Sequence, residues 1–167
     1  VYLPATVEKN DMSSRVAKKL GIFERPVAAP EESSGDMARQ AAEQLFSTYA
    51  IDRREVDFVL LCTHVPDYLI PATACILQDQ LDLPKHCGAL DFNLGCSGYT
   101  YGLSLAKGLI EGGMAKNVLL LTTGVYSKYV NEQDKVSRPL FGDAAAATLV
   151  SAVTAEQPLL DHHTESS

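Results

Sequence analysis

DFNLGCSGY, at residues 91–99, is the most informative stretch of this sequence. Within it, Cys96 stands where a buried, strand-like run ends and a run of small residues typical of a helix begins. A thiol at that junction is expected to project from the first turn of a helix, where free N–H groups and the helix dipole favour the thiolate. The stretch therefore predicts a candidate cysteine nucleophile, and a buried structural thiol is the alternative interpretation of Cys96.

Working outward, short apolar runs alternate with helical patterns along the chain. Strands are predicted at 58–62, 88–92, 118–123 and 144–150, the last after a polar loop at 126–138. Helices are predicted at 12–20, from the acidic stretch 31–36 to residue 49, at 71–81 and at 97–111. The connections between the first three strands are long enough for parallel pairing, so the order predicts a layered α/β sheet. Residues 1–30 otherwise read as irregular.

The helix predicted after Cys96 is unusual, because it is apolar or small almost all round as far as Lys107. Such a helix is expected to be buried on every side. Gly98 and Gly102 are four residues apart, a spacing that lets another backbone approach closely. We expect that neighbour to be a second, similar helix in the interior.

The chain ends carry weaker signals. Ser13 or Ser14 is expected to cap the first helix, and Gly21 follows it where a left-handed residue is favoured. The last residues, 162–167, are expected to form a frayed end. No linker divides the sequence, so residues 1–167 are predicted to form one domain or half of a larger fold.

Composition excludes several functional classes. The 167 residues carry a net charge of −7, with no basic run to offset it, which argues against nucleic-acid or membrane-surface binding. No apolar stretch approaches the roughly 18 residues that span a bilayer. The four cysteines show neither a C-x-x-C pair nor zinc-ligand spacing, so we expect reduced thiols, no metal and a cytoplasmic protein.

The other thiols and the histidines receive separate interpretations. Cys75 and Cys87 are expected to be packing residues, and Cys62 ends a strand. His64 follows that strand and is a candidate general base, although a hydrogen-bonding role in a surface loop is the favoured alternative.

Four separated motifs carry a resemblance to a known family. They are residues 91–103, GIFERPVAAP at 21–30, PATAC at 71–75 and FGDA at 141–144. In order and spacing they resemble β-ketoacyl-acyl-carrier-protein synthase III, a member of the thiolase superfamily. The resemblance extends over nearly the whole chain and covers the N-terminal half of a typical member.

This resemblance implies a fold and a reaction. The fold is one of the two similar β-α-β-α-β layers of the thiolase fold, with the nucleophilic cysteine at the start of a buried central helix. Cys96 is then the nucleophile that accepts an acyl group from acyl-CoA and passes it to a carbanion formed by decarboxylation of malonyl-carrier protein. The Cys96 N–H is implied as one donor of the oxyanion hole. No separate cofactor is implied.

The resemblance also implies substrate-binding residues and partners. Arg15 lies near the position of a tryptophan in many members, at the start of the coenzyme A groove. Lys19 and Lys135 correspond to basic residues of the groove, and Phe141 follows the second of them. Ile70 matches a residue that enters the acyl pocket of a partner subunit, which implies a homodimer. Ala144 replaces a glycine of the family, and acyl carrier protein is the implied macromolecular substrate.

The condensation machinery is only partly represented in the sequence. The resemblance places an essential histidine and asparagine in the C-terminal half, and nothing in residues 1–167 matches them. We therefore expect the missing half in a longer protein or a partner chain, and no condensation by this chain alone. Two alternatives stay open: a non-catalytic structural half, and a thiolase-superfamily acyltransferase that does not condense. Acyl chain length, primer and pathway are not predicted.

Overall fold

A computed structural model describes residues 1–13 and 15–153. The elements are, in order, β1 (Thr6–Lys9), α1 (Arg15–Leu20), β2 (Glu24–Val27), α2 (Ser34–Tyr49), β3 (Phe58–Cys62), α3 (Thr73–Gln80), β4 (Gly88–Phe92), α4 (Gly98–Glu111), β5 (Asn117–Gly124) and β6 (Ala144–Ser151). Short 3₁₀ turns occur at Arg53–Glu55 and Tyr126–Lys128. The four predicted strands and four predicted helices are confirmed, with boundaries shifted by up to three residues. The Ser14 cap and the frayed end at 162–167 lie outside the described residues.

The main sheet has four strands in the order β4-β3-β5-β6. The strands β4, β3 and β5 are parallel, as predicted, and β6 pairs with β5 in the antiparallel sense. Cys62 at the end of β3 is level with Phe92 on one side and Thr122 on the other. The loops that follow the three parallel strands therefore leave the sheet at the same edge.

The central strand β3 is covered on both faces, which explains its continuous apolar sequence. One face contributes Val59 and Leu61 to a core cluster with residues of α2 and α3, and the other places Leu60 against α4. Because side chains alternate along a strand, the helices form one layer on each side of the sheet. This layering confirms the predicted α/β class.

The N-terminal segment differs from its prediction. Residues 1–30 are not irregular, since β1 and β2 form an antiparallel two-stranded sheet in which Thr6 pairs with Val27. Pro26 lies within β2 opposite Val7, and proline normally argues against a strand. It is tolerated here because both strands of a two-stranded sheet are edges, which leaves room for a residue without an N–H.

The helix α4 confirms the predicted position but not its burial on every side. Gly98, Gly102 and Ala106 form its buried stripe, while Tyr99 and Tyr101 are exposed in this chain. The small residues face the sheet and not a second helix. A Cβ at position 98 would overlap the Cys62 sulfur, and one at position 102 would lie 2.6 Å from a methyl of Leu120. The spacing of the glycines therefore predicted a close approach correctly. The predicted neighbour, a second helix, is wrong, because the sheet lies against these glycines.

The helices α2 and α3 are capped in different ways. Ser33 and Asp36 form a capping box at the start of α2, which is a purely local device. The residue before α3 is Ala72, which makes no side-chain cap. Its place is taken by Asp91 of β4, whose carboxylate accepts hydrogen bonds of 2.7 Å from the N–H groups of Thr73 and Ala74. The predicted first turn at 71 therefore begins at Thr73.

The contact between Gly98 and Cys62 gives a first prediction. Gly98→Ala should destabilise the chain by about 1–3 kcal/mol, because the buried sulfur cannot move away from the new methyl. Gly108→Ala is the matched control, since it adds a methyl in open space on the same helix and should gain up to about 1 kcal/mol. Urea unfolding measures both changes. Cys62→Ala in the Gly98→Ala background should restore stability, and a failure to do so would contradict the steric explanation.

The buried thiol of Cys87 gives a second prediction, for alkaline pH. Burial, assisted by the negative charge of Asp57, raises the pKa of Cys87 to about 11. The unfolded chain releases this proton from about pH 8.5 upward, so the stability from this site falls as pH rises from there to about 11. At 1.36 kcal/mol per pKa unit, the loss is about 3 kcal/mol.

Cys87→Ala lacks the titrating group and serves as the comparison. Denaturant unfolding at several alkaline pH values should show the stability difference between wild type and variant shrinking as pH rises. A constant difference would refute the assigned titration.

Candidate active site

Three loops meet at the carboxyl edge of the parallel strands and enclose a cleft of about 330 Å³. They follow β3, β4 and β5, whose ends are level in the sheet. Ligand sites of open α/β sheets collect at this edge. We call this space the cysteine cleft; it is lined by Cys62, His64, Val65, Leu94, Gly95, Cys96, Tyr99, Thr122, Thr123, Gly124, Tyr126 and Ala144.

Cys96 lies on the wall of the cysteine cleft and is exposed. It occupies the turn between β4 and α4, where the Gly98 N–H donates a 2.7 Å hydrogen bond to the Gly95 carbonyl. The helix begins at Gly98 with Ser97 as its N-cap residue. Cys96 therefore precedes the first helical turn by two positions, whereas the sequence predicted it inside that turn. The burial that the alternative interpretation of Cys96 expects is not seen in this chain.

The other thiols differ in access. Cys62 also lines the cleft, but it is buried and its Sγ donates a 3.2 Å hydrogen bond to the Leu94 carbonyl. Burial raises the pKa of the Cys62 thiol, which keeps it protonated near neutral pH. Cys87 is buried, as predicted. Cys75 is exposed, so its predicted packing role is wrong, because the buried face of α3 consists of Thr73, Ala74 and Leu77.

His64 lines the cysteine cleft together with Cys96. Its imidazole fills the space beside Gly95, since a Cβ at that position would lie 2.6 Å from Cε1 and 3.1 Å from Nε2 of His64. The sequence placed His64 in a loop after β3, which is confirmed. Only the level register of β3 and β4 brings this loop against the residue that precedes Cys96.

The buried carboxylate of Asp143, which belongs to the FGDA motif but received no role from the sequence, organises the part of the cleft lining that contains Tyr126 and Ala144. Asp143 accepts hydrogen bonds from Ala28 N at 2.8 Å, from Ser127 N at 2.9 Å and from the Ser127 hydroxyl. These contacts tie the end of β2 and the turn Tyr126–Lys128 to the start of β6. The turn places Tyr126 at the cleft. The available signal in the sequence was its place in the FGDA motif at 141–144.

Phe141, predicted as a substrate-binding residue, lies behind Tyr126. Their ring centroids are 4.9 Å apart in a tilted arrangement. The Phe141 carbonyl accepts a 3.1 Å hydrogen bond from Arg25, which lines a second cleft. Phe141 therefore stands between the two clefts. Ala144, where the family has a glycine, adds its methyl to the wall of the cysteine cleft.

The second space, which we call the charged cleft, has a volume of about 590 Å³. It brings together Arg15 and Lys135, two of the three predicted basic groove residues. Lys19 is exposed near the end of α1 and does not line this cleft. The floor is organised by Glu8, which pairs with the buried Arg25 and, at 2.8 Å, with Arg138. The lining residues are Glu8, Lys9, Asn10, Asp11, Ser13, Arg15, Arg25, Glu132, Asp134, Lys135, Arg138 and Pro139.

Ile70 lies away from both clefts, in the loop between β3 and α3. Its side chain is 89% exposed, and the neighbouring Leu69 is 93% exposed. Two consecutive apolar side chains this exposed make a protruding apolar tip. The structure thus separates Ile70 from the other predicted substrate-binding residues within one chain.

Residues 1–13 and 15–153 contain neither a membrane-spanning helix nor a metal-binding cluster. No helix there has both the length and the hydropathy to cross a membrane. In the same residues, no cluster of three or more histidine, cysteine or acidic side chains is arranged to hold a metal ion.

Comparison with known proteins supports one family. The family model described as 3-oxoacyl-[acyl-carrier-protein (ACP)] synthase III matches residues 90–167. A β-ketoacyl-[acyl-carrier-protein] synthase III of Sulfurovum sp. (strain NBC37-1) is 38% identical over 97% of this chain and 50% of its own length. The corresponding protein of Methylococcus capsulatus is 36% identical over 99% of this chain and 53% of its own.

Solved structures agree in fold. A 2.1 Å crystal structure of a 3-oxoacyl-(acyl-carrier-protein) synthase III superposes with a TM-score of 0.85 at 50% identity, covering 93% of this chain and 49% of the other. The synthase III of Thermus thermophilus has a TM-score of 0.85 at 32% identity, covering 93% and 50%. The chain spans about half the length of the relatives it matches. Sequence and fold together place the chain in the β-ketoacyl-[acyl-carrier-protein] synthase III family, as a match to the N-terminal half of its thiolase-like members.

Proposed function

We propose that this chain carries the acyl-accepting half of a β-ketoacyl-acyl-carrier-protein synthase III active site, with Cys96 as the nucleophile. The observation that carries the proposal is an exposed thiol at the carboxyl edge of the parallel sheet, on the wall of a cleft. The Cys96 thiolate attacks the acyl-CoA thioester carbonyl, the acyl group moves to Cys96, and coenzyme A leaves as its thiol. A thioester on Cys96 stays reactive enough for the later condensation.

The charged cleft is proposed to receive the phosphates of coenzyme A. Arg15 and Lys135 present their cationic side chains to it, and phosphate groups bind to such side chains through charge-assisted hydrogen bonds. Lys19 lies outside the lining of this cleft, so its proposed contribution is to attract the anionic substrate from nearby. Phe141 stands between the charged cleft and the cysteine cleft, where the thioester arm of the substrate would run.

The condensation step is proposed for the whole protein. In it, the acyl group on Cys96 is transferred to malonyl-carrier protein as carbon dioxide is lost. The histidine and asparagine that the family resemblance assigns to this step belong to the other half. The exposed apolar residues of α4, which include Tyr99, Tyr101 and Leu105, support the docking of such a second half here.

The proposed assembly is a homodimer in the cytoplasm. The protruding tip at Leu69 and Ile70 supports it, since an apolar tip that exposed is suited to insertion into a pocket of a partner subunit. A structural, non-catalytic role for the chain is the competing proposal. It shares the docking face of α4 but requires no acylation of Cys96.

The test is acylation of the chain, and of any longer product of the same gene, by acyl-CoAs of several lengths. We expect an acyl adduct on Cys96, detected by intact mass and peptide analysis, because this exposed thiol faces the cleft. Cys96→Ala should abolish the adduct and leave the fold intact.

Cys75→Ala is the matched control, since Cys75 is also exposed but lies outside the lining of the cleft. It should leave the adduct unchanged. An adduct on another residue, or no adduct with any acyl-CoA in the longer product, would contradict the assignment of Cys96 as the nucleophile.

A further inference from the structure

We propose that His64 accepts the proton of the Cys96 thiol, so that this half of the site activates its own nucleophile. The inference rests on the proposed role of Cys96 as the acyl acceptor. It assigns a function to the one histidine that lines the cysteine cleft among the described residues.

The first argument is geometric. His64 and Cys96 both line the cysteine cleft, and the imidazole occupies the space beside Gly95, the residue that precedes Cys96. Any side chain at position 95 would compete for this space, because a Cβ there would lie 2.6 Å from the ring. The absence of a side chain at Gly95 is therefore what allows the ring to lie next to the nucleophile turn.

The second argument concerns which other groups could take the proton. The titratable groups facing His64 across the cysteine cleft are Cys62 on β3, Cys96, Tyr99 on α4 and Tyr126 after β5. On its other side, a neighbouring cleft presents Asp67, Tyr68 and Tyr129. Thiols and phenols are protonated near neutral pH and cannot accept a proton there. The Asp67 carboxylate is engaged by the Ser33 hydroxyl and the Gly35 N–H at the start of α2.

The imidazole is thus the suitable base within the cleft, because a neutral imidazole has a ring nitrogen with a free lone pair that can accept a proton. In the proposed step, the Cys96 proton passes to neutral His64 and the thiolate attacks the thioester carbonyl. The bond from the carbonyl carbon to the coenzyme A sulfur then breaks, and the leaving thiolate takes the proton back from the imidazolium. No charge or proton is left over at the end of the transfer.

The test uses iodoacetamide as a probe of Cys96, so that it does not depend on acyl-CoA recognition. The rate of alkylation of each cysteine is followed by peptide mass between about pH 5.5 and 9, a range that includes the ordinary titrations of imidazole and thiol. Cys75 in the same chain is the internal reference, since it is exposed away from the cleft.

We expect His64→Gln to slow the labelling of Cys96 near neutral pH by about tenfold; a fully positioned base contributes about 100-fold or more, and His64 is open to solvent. The wild-type rate near neutral pH should exceed that of the variant, and the two pH profiles should differ in shape. Cys75 should be unaffected. An unchanged Cys96 profile in His64→Gln, or a loss that Cys75 shares, would overturn the proposal.

Gly95→Ala provides a second variant that keeps the imidazole but displaces it. It should slow Cys96 labelling as His64→Gln does, and the double variant should show no further loss, because both changes remove the same contact. Losses that multiply in the double variant would overturn the proposal.

The two proposals fail separately. A His64-dependent alkylation rate without any acyl adduct would refute the proposed function and leave the role of His64 standing. An adduct that forms on Cys96 at an equal rate in wild type and His64→Gln would refute the role of His64 and support the proposed function.

Discussion

The parallel register of β3 between β4 and β5 is the constraint on which the rest of this structure depends. Cys62 is paired with both Phe92 and Thr122, so three loops start from one edge of the sheet. The first carries His64, the second Cys96 and the third Tyr126. Because β3 is buried on both faces, a shift of register would also misplace its core side chains, which ties the geometry of the cleft to the stability of the sheet.

Within that frame, the absence of side chains at two glycines shapes the nucleophile turn. Gly98 lets α4 settle on the Cys62 sulfur, and Gly95 leaves room for the His64 ring. The carbonyl of Leu94, which directly precedes Gly95, accepts a hydrogen bond from Cys62. Asp143 holds the segment next to Tyr126 in place through three hydrogen bonds, which it accepts from Ala28 and Ser127. The cleft is therefore built by close packing and by a buried carboxylate, while the reactive thiol itself stays accessible.

Much of this was predictable, and the misses have definite physical causes. The apolar runs identified β3 and β5 because a strand covered on both faces has no polar alternation. The pair β1–β2 was missed because Pro26 is normally a strand breaker, whereas a two-stranded sheet has only edges. The cap of α3 could not be predicted from local sequence. Its acceptor, Asp91, lies 17 and 18 residues after the two N–H groups that it binds. The small residues of α4 predicted that another part of the chain packs closely against them. They did not indicate that this part is the sheet.

The amino-acid sequence by itself determined the α/β class, the order of the main strands and the location of Cys96 at a strand–helix junction, since these follow from local periodicity. Only the tertiary structure decided which residues surround that thiol. The contacts of Gly95 with His64 and of Gly98 with Cys62 depend on distances between segments about thirty residues apart, as does the clamp from Asp143 to Ala28 over a longer span. Such contacts arise from strand register and close packing, and a one-dimensional pattern does not contain them.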